Sequence, residues 1–86
     1  MKIRSVNSRN LARLSNAFID YLLDNDVRFD RTELIVGGEE LALIFEKDGH
    51  VNGFRFKKEF CIGREPEVIV ESVVKPMLND LKGIKE

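Results

Sequence analysis

The chain has 86 residues, of which 43% are hydrophobic and 34% charged, and a formal net charge of −1. That length suits one domain with a single modest core, and the balance of residues belongs to a globular chain, not a disordered one. The near-neutral charge argues against a dominant phosphate-binding surface, Cys61 has no second cysteine to pair with, and no apolar run approaches the roughly 20 residues of a membrane span. With no signal-peptide pattern at the start and no membrane segment, a cytoplasmic location is expected.

After a short basic start with Lys2 and Arg4, Ser8 is a plausible N-cap for an amphipathic helix over residues 8–24. Leu11, Leu14, Phe18, Tyr21 and Leu22 recur at three- and four-residue spacing on one face, and Arg9, Arg13, Asn16, Asp20 and Asp24 lie on the other. Residues 25–31 break this pattern and read as the connection into a sheet. A strand over 32–36 is followed by Gly37-Gly38, a fair hairpin signal, and then by a strand over 41–47 in which Leu41, Leu43 and Phe45 alternate with Ala42, Ile44 and Glu46. Asp48-Gly49 and Asn52-Gly53 both mark a turn, because Gly accepts positive φ freely and Asn or Asp better than most residues. Beyond it a third strand is expected over 53–62, with Phe54, Phe56, Phe60 and Ile62 in phase. Lys58 falls on the apolar side of that strand, which implies either a bulge or a charge guarding an edge.

Pro66 suits the first turn of a final helix over 65–82, kinked or broken near Pro76, with Ile69, Val70, Val73, Val74, Met77, Leu78 and Leu81 on one arc. The β-branched run Val68-Ile69-Val70 and Pro76 itself leave a fourth strand over 67–74 as the alternative. Gly83 is a reasonable stop.

The resulting expectation is an α+β domain: a three-stranded antiparallel meander with two helices packed on one face, in the order α-β-β-β-α. On the helix side lie Leu34, Val36, Leu41, Leu43, Phe45, Phe54, Phe56 and Phe60. The other face carries Ile35, Ala42 and Ile44, with Arg55, Lys57 and Glu59 beside them and Cys61 near the end. An apolar strip with a mixed-charge rim is the composition of a protein contact surface.

Chemistry-bearing constellations are missing from the sequence. His50 and Cys61 have no third group to orient them, and two such residues cannot complete a zinc site. Asp24 and Asp26 have the spacing of the first two ligands of a calcium loop, but Arg28, Phe29 and Ile35 occupy positions that need an oxygen ligand, a glycine and a glutamate. Gly37-Gly38 is followed by two glutamates, the wrong charge for a phosphate cradle. No catalytic, cofactor-binding or metal residue is assigned, and the chain is read as non-enzymatic.

The predicted element order, over roughly residues 8–82, is similar to that of the double-stranded-RNA-binding domain. That resemblance implies a lysine cluster at the start of the last helix, where Gly63-Arg64-Glu65-Pro66-Glu67 instead holds two carboxylates. The basic residues left for a nucleic-acid surface are Arg9, Arg13, Arg55 and Lys57, on two different sides of the layer. The sequence therefore favours an interaction module that binds another protein or itself, as a homodimer, through the open sheet face or an edge strand. Accessory regulators and inhibitors of phages and mobile elements are often chains of this kind, an analogy at the level of the fold. Nucleic-acid binding stands second.

Overall fold

The computed structural model describes the backbone of residues 1–84 and the side chains of residues 1–78. Its first helix, α1 (Ser8–Asp24), is capped by Asn7 and not by Ser8: the Asn7 side chain accepts the Asn10 amide at 2.9 Å. One residue earlier is enough, because Asn7 holds the extended conformation a cap needs. The helix ends in a Schellman arrangement, with the Val27 amide bonded to the Leu22 carbonyl at 2.9 Å and the Asp26 amide to that of Leu23 at 3.1 Å. Asp26 supplies the left-handed residue this requires, at φ 58°.

Strands β1 (Arg31–Val36), β2 (Glu40–Lys47) and β3 (His50–Lys57) form an open antiparallel sheet in sequence order. Between β2 and β3 the turn is Asp48-Gly49, both residues at positive φ and closed by the Lys47–His50 pair. Asn52 and Gly53, the competing signal, lie within β3, opposite Phe45 and Ile44. Moving the turn four residues along shifts the register by an even number, so the phenylalanines stay on the inner face either way.

The expected third strand over 53–62 is corrected at both ends. It starts at His50 and stops at Lys57, after which Lys58–Cys61 form a single helical turn, α2. Lys58 is thus neither a bulge nor an edge guard but the start of that turn, its amide still bonded to the Glu39 carbonyl at 2.9 Å. The turn swings Cys61 into the core, fully buried, and not onto the outer face. Phe60 is only half-buried, and Ile62 is exposed.

Helix α3 (Pro66–Ile84) runs through Pro76 without a break, so neither the interruption nor the fourth strand over 67–74 is present. The helix tolerates Pro76 because both it and Ser72, whose carbonyl loses its amide partner, lie on the exposed side. Gly83 lies inside the helix, and the side chains of Asn79, Leu81 and Lys82 lie outside the described residues.

Both long helices pack on one sheet face. Leu14, Phe18 and Leu22 of α1 and Ile69, Val70 and Val74 of α3 meet Leu41, Leu43, Phe45 and Phe54. At the centre Phe54 stacks on Phe45 at 6.0 Å and meets Phe18 edge-on at 6.1 Å. Val36, expected in this core, is 47% exposed, because β1 ends beyond the helical cover. The N-terminal segment is tied down: Ile3 is buried, donates its amide to the Arg64 carbonyl at 2.8 Å and accepts the Gly63 amide at 2.7 Å.

Candidate functional site

Side chains alternate across a strand, so the antiparallel register decides which residues share the uncovered face. Ile35, Ala42 and Arg55 form one row across it, Glu33, Ile44 and Gly53 the next, and Arg31, Glu46 and Val51 the third. Five of the six expected contact residues are therefore brought together: Ile35, Ala42, Ile44, Arg55 and Lys57. Glu59 is not among them, since α2 carries it off the sheet. Sequence reasoning also missed Val51, 58% exposed on this face, because the Asn52-Gly53 turn signal placed it in a loop.

The apolar centre consists of Ile35, Ala42 and Ile44, with Gly53 contributing no side chain. Around it both arginines are paired with carboxylates, and Lys57 stands beside them. Arg31 bonds Glu33 at 2.7 Å and Glu46 at 3.1 Å, and Arg55 approaches Glu40 at 3.8 Å. The two carboxylates at Arg31 hold its guanidinium charge more firmly than usual. Exposed pairs like these add little stability, so their effect is to neutralise the rim of the apolar strip.

The four arginines and lysines of a nucleic-acid surface do not converge. Arg9 and Arg13 sit on α1, on the covered side of the sheet, and Arg13 is engaged by the Met1 carbonyl and by Asn10 Oδ1 at 2.9 Å. Arg55 and Lys57 project from the opposite side. At the start of α3, Glu65 faces the N-terminal amine at 3.4 Å, and Arg64 lies over the Phe60 ring at 4.3 Å. A carboxylate occupies the place where a phosphate contact would be made.

His50 opens β3 and Cys61 follows its far end, so about 23 Å of strand separates them, and the two cannot act as a pair. Burial pushes the Cys61 thiol pKa up, with Arg64 partly opposing the shift. Among the described residues no three His, Cys, Asp or Glu side chains cluster to hold a metal ion, and no helix is long and apolar enough to cross a membrane.

These features define a small α+β domain with an open three-stranded sheet, one face covered by helices and the other exposed. Comparison with protein-family models, curated proteins and solved structures finds no match to this chain. The likeness to the double-stranded-RNA-binding domain therefore stays one of element order, which α2 interrupts.

Proposed function

We propose that this chain is a small non-enzymatic protein-interaction module, an accessory regulator or inhibitor of the kind phages and mobile elements carry, binding another protein or itself through the uncovered sheet face or an edge strand. The observation that supports this reading is the strip formed by Ile35, Ala42 and Ile44 inside a rim of mixed charge in which Arg31 and Arg55 are paired with carboxylates. An apolar centre with a charged rim is the composition of a protein contact surface, in which the centre is covered and the rim stays in contact with water.

The test is capture of partners from lysate on tagged protein, with and without nuclease, in parallel for the parent and for a variant carrying Ile35→Glu and Ile44→Glu. A partner protein that survives nuclease, is lost with the double variant, and leaves that variant's cooperative melting intact supports the reading. Recovery of nucleic acid alone, released by salt and by changing Arg55 and Lys57, overturns it.

A further inference from the structure

The Asn52-Gly53 step carries a chemistry that its place in β3 does not use. The other five asparagines of the chain precede Ser8, Leu11, Ala17, Asp26 and Asp80, so this is its single Asn-Gly step. An amide nitrogen that follows asparagine can attack the side-chain carbonyl carbon, and glycine, having no Cβ, hinders that approach least.

The fold leaves both reacting groups free. The Lys58 amide donates to the Glu39 carbonyl, and amides alternate along β3 from there, so that of Asn52 points at β2 and that of Gly53 points off the sheet edge. The Asn52 side chain is half-buried on the helix side, in a cleft of about 470 Å³ that Arg28, Lys47 and His50 also line. Among the described residues it forms no hydrogen bond, whereas the side chains of Asn7, Asn10 and Asn25 are each engaged.

We propose that Asn52-Gly53 is a site of spontaneous modification in the folded protein, converting to aspartyl and isoaspartyl forms. Hydroxide or another base takes the Gly53 amide proton, the nitrogen bonds to Asn52 Cγ, and the Cγ–Nδ2 bond breaks with the side-chain nitrogen leaving as ammonia. Water then opens the five-membered imide. Breaking the bond from Gly53 N to Cγ leaves an aspartate, and breaking the bond to the backbone carbonyl carbon routes the chain through Cγ as isoaspartate. Ring closure turns the peptide plane after Asn52 out of the ladder, which breaks one hydrogen bond, from the Phe45 amide to the Asn52 carbonyl. The net worth of one such bond slows the step by about tenfold or less relative to the unfolded chain. Both products set a carboxylate in the cleft with Arg28, Lys47 and His50. The isoaspartyl form also adds a backbone atom before Gly53, which moves Val51 out of its pairing with Glu46 and off the open face.

The experiment ages the folded full-length parent and its Gly53→Ala variant at neutral and mildly alkaline pH, with the parent in urea as the unfolded reference. Intact mass and peptide mapping read the exchange of the side-chain NH2 for OH, and an isoaspartate assay reads the rerouted backbone. The expected result is conversion at Asn52 ahead of every other asparagine, faster at the higher pH, and at a folded rate within about tenfold of the unfolded one. Gly53→Ala should slow it about tenfold or more, and the added Cβ, 3.6 Å from Ile44 Cγ1, leaves the fold intact. A folded rate about a hundredfold or more below the unfolded one, earlier conversion of another asparagine, or conversion indifferent to Gly53→Ala overturns the proposal.

Discussion

Gly53 stands opposite Ile44 across the β2–β3 pair, and a Cβ built on Gly53 would lie 3.6 Å from Ile44 Cγ1, an ordinary van der Waals contact. Its φ lies outside the left-handed region, so the backbone there does not require glycine. Gly53→Ala should raise stability by about 0.5–1 kcal/mol through loss of unfolded-chain entropy. Gly53→Val should add a side chain over Ile44 and weaken any partner that uses the open face. Urea melts and partner titration check both. A destabilised Gly53→Ala would mean that this stretch of β3 departs from regular strand geometry.

The aromatic trio of Phe18, Phe45 and Phe54 sets the scale for the covered face. Phe54→Ala should lose about 3–5 kcal/mol, as truncation of a buried aromatic does. Val36→Ala, in the same alternating pattern but at an edge beyond the helices, should stay within about 0.5 kcal/mol in the monomer. Denaturant unfolding of the two variants in parallel tests the contrast. Equal losses would show that the helices extend over Val36 in solution.

Burial of Cys61 has a consequence at alkaline pH. The folded state keeps the thiol protonated above the pKa of the exposed thiol in the unfolded chain. As pH rises through the unfolded value, about 8.5, the unfolded state loses a proton that the folded state retains, and stability falls. The fall continues until the raised folded pKa is reached. Cys61→Ala should flatten the profile between about pH 8 and 10. The same burial should delay labelling by a thiol reagent until unfolding. Labelling of the folded protein at the rate of a free thiol would place Cys61 at the surface.

Much of this architecture was legible in local pattern. Period-3.6 spacing of Leu14, Phe18 and Leu22 and period-2 spacing of Leu41, Leu43 and Phe45 set the helix, the sheet and the covered face. Each repeat gives its element only one consistent way to bury apolar surface. The outer face followed from the same alternation, which is why Ile35, Ala42, Ile44, Arg55 and Lys57 were found without coordinates.

What tertiary structure alone decided begins where that alternation has no power to choose. The Asp48-Gly49 and Asn52-Gly53 turns leave every phenylalanine on the same side, so pairing of whole strands, not parity, selected the first and put Val51 on the open face. Nor does parity say where a strand should stop. After Lys57 the chain turns into α2, Cys61 goes inward and Glu59 leaves the sheet, while the following Gly63-Arg64 segment is held by backbone bonds to Ile3, some 60 residues away in sequence. Those bonds join parts of the chain that share no local pattern, and they form only once the core has brought the two ends together.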